Sequence, residues 1–309
     1  MTGTVVKSTG SWYVVRDHAT LNLHRCRLRG RFKHKGLKVS NPLAVGDVVE
    51  FETDETGDAG TGVIDHIEPR RNYIIRRSVH KSEHSHIVAA NLDQAMLVVT
   101  LASPATSFGF IDRFLVTAEA YSIPATLVFN KVDIYDEELL DYLGQVQKMY
   151  ERTGYPTLRS SAHTGEGVAA IDALLEGKTT LLSGHSGVGK STLINALVPD
   201  LDLKTAEISE YSDKGKHTTT FAEMLEVRPG TYLIDTPGIK ELGLVDMKQG
   251  ELAHYFPEMR ERLNQCRYHN CRHLEEPGCA VREAVEKGKI AFPRYDSYLS
   301  MMADEDNRH

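Results

Sequence analysis

The chain has 309 residues, with 36 lysines and arginines against 43 aspartates and glutamates and a formal net charge of −7. That length holds two or three domains, and the acidic balance excludes a generally basic nucleic-acid binder, so any such contact must rest on a local patch. No apolar run reaches the roughly 18 residues of a membrane span and no signal-peptide pattern opens the chain, so a soluble, cytoplasmic protein is expected.

Short β-like runs come first. Trp12–Val15, Val48–Phe51 and Gly62–Ile67 are separated by turn residues, which predicts a small β-barrel over residues 1–72, ending near Arg70-Arg71-Asn72. Within it Arg25, Arg27, Arg29, Arg31, Lys33 and Lys35 alternate strictly, Lys38 follows, and no acidic residue occurs between Asp17 and Asp47. In an extended strand these charges share one face, and Cys26, Leu28 and Phe32 fall on the other. A basic strand face suits RNA phosphates. The competing reading is an edge strand charged against aggregation, but one or two lysines suffice for that. The segment Arg76–His86 reads as a polar linker.

Apolar runs then alternate with helical spacing. Ala95–Leu101 reads as a strand, Phe110–Tyr121 as a helix, Ala125–Phe129 as a strand and Glu137–Tyr150 as a helix. This predicts a mainly parallel α/β sheet with helices on both faces over residues 73–245, its sites at the strand C-termini. Asn130-Lys131-Val132-Asp133 ends one strand. Asp133 can accept the N1–H and N2–H of guanine, and a buried carboxylate without those donors would be penalised, so the motif rejects adenine. Asn130 would tie this loop to a phosphate loop, and the Lys131 stem would cover the base. In Ser160-Ser161-Ala162, the Ala162 N–H would meet guanine O6, beside Ser161.

The apolar run Lys178–Ser183 leads into Gly184-His185-Ser186-Gly187-Val188-Gly189-Lys190-Ser191, followed by Thr192. This fits G-x-x-x-x-G-K-[ST] between strand and helix, where backbone N–H groups and the helix N-terminus hold phosphates. Lys190 should reach the β- and γ-phosphates, and Ser191 should ligate magnesium. Lys214–Thr220 is the switch-one candidate. There Thr219 is chosen from three threonines to close on magnesium and the γ-phosphate, and His217 is either a water-positioning residue or an exposed loop histidine. Asp235-Thr236-Pro237-Gly238 follows the strand Tyr232–Ile234. Asp235 would hold magnesium through water, and the Gly238 N–H would sense the γ-phosphate. The next residue is Ile239, where many GTPases carry a Gln that orients the attacking water, so intrinsic hydrolysis should be slow.

The C-terminal part, residues 246–309, carries Cys266, Cys271, His273 and Cys279 in the pattern C-x4-C-x-H-x5-C. Three thiolates and one imidazole close a tetrahedral structural zinc shell with no open position for catalysis. A disulfide would need an oxidising compartment. His269 would require a different loop geometry, and Cys26 reads as a packed thiol.

The order of these motifs is unusual. A small GTPase runs phosphate loop, switch one, switch two, base motif and base-support motif. Here the base motifs precede the phosphate loop, as if the chain had been cut after switch two and rejoined. With Gly215–Thr220, Asp235–Gly238 and the Cys/His cluster behind them, the sequence resembles the circularly permuted bacterial family called ribosome small-subunit-dependent GTPase A. The resemblance implies a multidomain protein: an N-terminal OB-fold barrel, a central permuted P-loop GTPase and a C-terminal, mainly helical zinc domain. It implies GTP/GDP, Mg2+ and one Zn2+, and a monomer acting on the small ribosomal subunit and its rRNA as a late assembly factor, away from membranes. A GTPase regulating a protein or metal-handling partner remains the alternative, and a module with a degenerate nucleotide site a third. The complete motif set disfavours the last.

Overall fold

The structure, a computed structural model, describes residues 1–9, 12–29, 42–53, 61–77, 85–198, 222–235 and 249–303. Five strands begin it: β1 (Thr2–Ser8), β2 (Tyr13–Asp17), β3 (Leu23–Leu28), β4 (Val48–Thr53) and β5 (Thr61–Ile67). β1 pairs with both β2 and β4, and β3 lies between β2 and a parallel β5, so the strands close on themselves. Closure leaves β3 without a free edge, which removes the edge-protection reading of its arginines. Alternation sends Cys26 inward with Val5, Val15, Phe51 and Ile64, while Arg25 and Arg27 stay exposed. Arg29 is partly neutralised by ion pairs to Glu52 and Asp65 at 3.1 and 2.8 Å. Arg31, Lys33, Lys35 and Lys38 lie outside the described residues.

Only the ends of the expected linker Arg76–His86 are described: Arg76 and Arg77 close β6 (Tyr73–Arg77), Ser85 and His86 open an antiparallel β7 (Ser85–Ala90), and residues 78–84 lie outside the described residues. Ile74, Ile75, Ile87 and Ala89, which flank that segment, are buried. The buried Asp47 carboxylate takes two hydrogen bonds from Arg70, at 2.6 and 2.7 Å, where the chain leaves the barrel.

The central sheet runs β10 (Thr157–Arg159), β9 (Ala125–Phe129), β8 (Gln94–Val99), β11 (Thr179–Ser183), β13 (Thr231–Asp235), β12 (Glu223–Arg228). All its pairs are parallel except β12 with β13. Strands covered on both faces need apolar side chains in both directions. In β8, Ala95, Leu97 and Val99 meet α1 (Phe108–Ala120) and α2 (Glu137–Glu151). Met96 and Val98 meet α3 (Val168–Leu175) and α4 (Lys190–Leu197). The Ser107 and Asp136 side chains accept from Phe110 N and Leu139 N, so α1 and α2 each start on an N-cap.

The last part is helical: α5 (Pro257–Arg260), α6 (Ala280–Glu286) and α7 (Phe292–Met302), with 3-10 turns at Gln249–Tyr255 and Leu263–Gln265. It fastens to α1 through Arg294, which is fully buried. The Arg294 guanidinium donates to Glu258 at 2.8 and 3.2 Å and to Asp112 of α1 at 2.6 Å. The Tyr150 hydroxyl also donates to Asp112, at 3.0 Å. Aromatic faces enclose the cation, with Phe256 at 4.7 Å and Tyr150 and Tyr155 at 5.7 Å. Burial alone would lower the guanidinium pKa, but the two carboxylates outweigh it and hold Arg294 cationic.

A buried charge network contributes little net stability when complete and much instability when broken. Arg294→Ala should therefore lower unfolding stability by about 3–5 kcal/mol in chemical denaturation. Replacing Arg294, Asp112 and Glu258 together with apolar residues of similar volume should recover most of that loss. Equal losses in the single and triple variants would refute this account.

Candidate nucleotide site and cysteine–histidine cluster

The C-termini of β8, β9, β10, β11 and β13 open on one side of the sheet, and the loops after β8, β9, β10 and β11 meet there. The loop between β11 and α4 turns on glycines with positive φ: Gly184 at 149°, Gly187 at 86° and Gly189 at 91°. Their small size is also needed. A Cβ on Gly184 would lie 2.4 Å from Val98 O, and one on Gly189 would lie 2.5 Å from Asn130 Nδ2. The Lys190 ammonium donates to Gly184 O at 2.7 Å and so folds back over the loop. Burial lowers its pKa, while the charge of Asp235 opposes that. Ser191 follows at the start of α4, half-buried, and Thr192 is exposed.

Asn130 joins three loops. Its Nδ2 donates to Val188 O at 2.8 Å, its Oδ1 accepts from Ser160 Oγ at 3.0 Å, and its backbone oxygen accepts from Tyr135 Oη at 3.1 Å. Only 1 % of its surface is exposed. Lys131 takes a left-handed conformation at φ 64° and donates to Ser103 O at 2.7 Å. Asp133 is exposed in the 3-10 turn Val132–Ile134, so the burial that its guanine selectivity requires would come only with the bound base. Ser161 is buried, and its hydroxyl accepts from Thr164 N at 3.1 Å, holding the turn that carries Ala162. Asp235 ends β13 directly opposite Leu182 of β11. Ser186 and Gly187 are the exposed crest of the phosphate loop. His217, Thr219 and Gly238 lie outside the described residues.

Several residues here were not singled out from the sequence. Thr106 Oγ1 meets His185 Nε2 at 2.7 Å, and the Phe110 ring stands edge-on to that imidazole at 5.6 Å. Pro104 would lie 3.3 Å from a Cβ on Gly187. Residues 100–107 thus form a wall beside the phosphate loop. The available signal was their place immediately after a strand C-terminus of an open α/β sheet. Tyr135, which donates to the Asn130 carbonyl, carried no motif signal of its own, and Ser160, although part of the Ser160-Ser161-Ala162 motif, was not expected to hold Asn130.

At the other end, ligand atoms of Cys266, Cys271, His273 and Cys279 all lie within 4.8 Å of one another. His273 Nδ1 is 3.6 Å from Cys266 Sγ and 3.4 Å from Cys279 Sγ. Tetrahedral zinc with bonds of about 2.3 Å to sulfur and 2.0 Å to nitrogen separates the two by about 3.6 Å, so the donor set fits that ion. Burial raises the Cys271 and Cys279 thiol pKa values and lowers that of His273, which favours the neutral imidazole a metal needs. Tyr295 and Tyr298 of α7 donate to the His273 and Arg272 carbonyls at 2.6 and 2.7 Å. The Glu276 carboxylate accepts from the N–H groups of Arg272, Leu274 and Glu275. His269 is exposed and outside the cluster.

On the barrel, the Trp12 ring lies against two guanidiniums, with Arg25 at 4.3 Å and Arg27 at 3.8 Å. No helix among the described residues is long and apolar enough to cross a membrane.

Two family profiles match the sequence: one described as RsgA N-terminal domain over residues 2–64 and one described as RsgA GTPase over residues 67–245. The chain is 55% identical to a protein of Bacteroides fragilis named small ribosomal subunit biogenesis GTPase RsgA, covering 99% of this chain and 97% of that one. A Flavobacterium psychrophilum protein of the same name is 50% identical, over 100% of this chain and 94% of the other. Among solved structures, YjeQ from Thermotoga maritima superposes with a TM-score of 0.78 at 36% identity, covering 100% and 99% of the two chains. YloQ, described as a circularly permuted GTPase, gives 0.74 at 30% identity, covering 100% and 96%. These matches span the chain and agree with its permuted motifs and its sheet order, so it belongs to the RsgA family of circularly permuted GTPases.

Proposed function

We propose that this GTPase acts on the small ribosomal subunit as a late assembly factor, and that subunit binding stimulates its hydrolysis of GTP. The observation that carries this reading is whole-length identity to relatives named for small-subunit biogenesis. The ordered guanidiniums beside Trp12 support an rRNA contact, because stacking fixes each planar fork while leaving its N–H edges for phosphate. We assign residues 1–72 to RNA binding, 73–245 to the GTPase and 246–309 to a zinc-stabilised module, in a monomeric, cytoplasmic protein.

In the nucleotide site, Asp133 selects guanine, with the Ala162 N–H and the Lys131 stem on the base. Asn130 keeps the base loop at a constant distance from the phosphate loop. Residues Gly184–Gly189 surround the phosphates with N–H groups, and Lys190 leaves Gly184 O to meet the β- and γ-phosphates. Ser191, Asp235 and Thr219 would hold magnesium, which would supply positive charge to offset that of the phosphates. His217 orients the attacking water, the duty that Ile239 cannot perform.

Three outcomes test these assignments. Wild-type protein should turn GTP over slowly alone and about 10²–10³ times faster with purified small subunits, and His217→Ala should lose most of that gain while binding GTP and subunits. No stimulation of the wild type would reject the ribosomal reading, and full stimulation of His217→Ala would reject the role of His217. In competition assays ATP should not displace GTP, and Asp133→Asn should move preference toward xanthosine triphosphate, whose C2 oxygen suits an amide donor. Equal competition by ATP would reject the base assignment. Metal analysis of reduced protein should find about one zinc per chain, and Cys271→Ala should unfold the C-terminal module while GTP still binds. Zinc-free folded protein would overturn the metal assignment.

A further inference from the structure

The GTPase sheet does not end at β12. Its outer edge pairs antiparallel with β1 of the barrel, Lys7 opposite Glu223. That pair lies on a continuous ladder in which Glu223 stands opposite Asp235 and Asp235 opposite Leu182, the residue before Ser183 and the phosphate loop. One row across the sheet therefore joins a barrel lysine to the candidate magnesium aspartate.

β1 is shaped for both bodies. Its register against β2 shifts between Val5 and Lys7. Such a bulge re-aims a side chain. Val5 is fully buried in the barrel core, whereas Val6 packs against the GTPase core together with Ala222 and Tyr232. Two ion pairs flank this contact. Lys7 Nζ donates to both Glu223 oxygens at 3.0 and 3.1 Å, and Arg16 of β2 pairs with Glu226 of β12. The Arg16 and Glu226 side chains are only 19% and 27% exposed, and the Arg16 guanidinium also lies 5.9 Å from the Tyr232 ring.

The strand held in this way begins three residues after Thr220, where the switch-one candidate ends. We propose that Lys7 and Arg16 are positioning residues for GTP hydrolysis: through β12 the barrel holds the C-terminal anchor of switch one. The Lys7–Glu223 pair is exposed and contributes little to stability, and Arg16–Glu226 is partly buried. Their effect here is to set where β12 starts relative to Asp235. The inference rests on the proposed reading for the switch-one assignment and for the use of subunits as stimulator.

The test uses full-length Arg16→Glu, Glu226→Arg and the double exchange, with Lys7→Ala as an exposed variant that leaves the barrel core intact. Amide hydrogen exchange over residues 222–228 is measured with a non-hydrolysable GTP analogue and magnesium bound. Turnover is measured with and without small subunits. Each single reversal should speed exchange in that stretch and lower subunit-stimulated kcat, both by about five-fold, in the range of pairwise couplings between contacting residues. KM for GTP should stay unchanged. The double exchange should restore both readouts, and Lys7→Ala should shift them the same way by a smaller factor. Wild-type exchange and kcat in the single reversals, or no recovery in the double exchange, would overturn the proposal. If subunits fail to stimulate the wild type, the ribosomal reading falls, and exchange with unstimulated kcat decides the positioning role alone.

Discussion

The nucleotide site depends on one buried amide. Asn130 spends its donor on Val188 and its acceptor on Ser160, so three loops after three strands are held at one spacing. Those loops belong to β9, β10 and β11, whose parallel pairing already brings their C-termini to the same edge. The sheet supplies the coarse position, and the amide supplies the last ångströms. No larger residue at Gly189 is compatible with it, because a Cβ there would meet Asn130 Nδ2 at 2.5 Å. Losing one partner would leave the other buried groups unsatisfied, at about 1–3 kcal/mol each.

Permutation leaves this arrangement intact because the sheet order is a matter of packing and not of chain ends. What changes is attachment. The segment after Asp235 continues toward the Cys/His module, and that module is fastened to α1 by Arg294. α1 also carries Phe110 against His185 of the phosphate loop. A single helix is thus shared by the Cys/His module and the candidate phosphate loop. Burying Arg294 among Asp112, Glu258 and three aromatic rings adds little net stability over an apolar contact of equal size. It does specify one seating, since a shifted α7 would strand charge in the interior.

The motif loops were legible in the sequence because each is local: the glycines, Lys190, Asn130 and Asp235 act within a few residues of a strand end. β9 was legible residue for residue, since Ala125–Phe129 is a continuous apolar run. β1 was not, because the bulge at Val6 breaks the period of two that marks a strand. The hairpin of β6 and β7 was hidden by the polar residues at its centre. The contacts of Thr106 with His185 and of Asp112 with Arg294 join residues 79 and 182 positions apart, and neither pattern nor propensity carries such pairings. The Cys/His cluster was legible as ligand spacing, while the support it receives from Glu276, Tyr295 and Tyr298 was not, because those residues act through backbone atoms.

The two flanking modules grip the GTPase on different elements, and this bears on how hydrolysis can be controlled from outside. The barrel holds β12 at the sheet edge, and the Cys/His module holds α1 on one face. The chain between α4 and β12 therefore ends on a strand that the barrel restrains. The chain after β13 ends on the 3-10 turn Gln249–Tyr255, whose Leu252 and Ala253 belong to the same buried cluster as α7. The candidate switches lie outside the described residues, and the element that follows each in the chain contacts a neighbouring module. On the proposed reading, a large partner binding both modules would constrain β12 and the Gln249–Tyr255 turn together without touching the nucleotide. With Ile239 unable, on the same reading, to orient the attacking water, such an external constraint would supply what that position lacks.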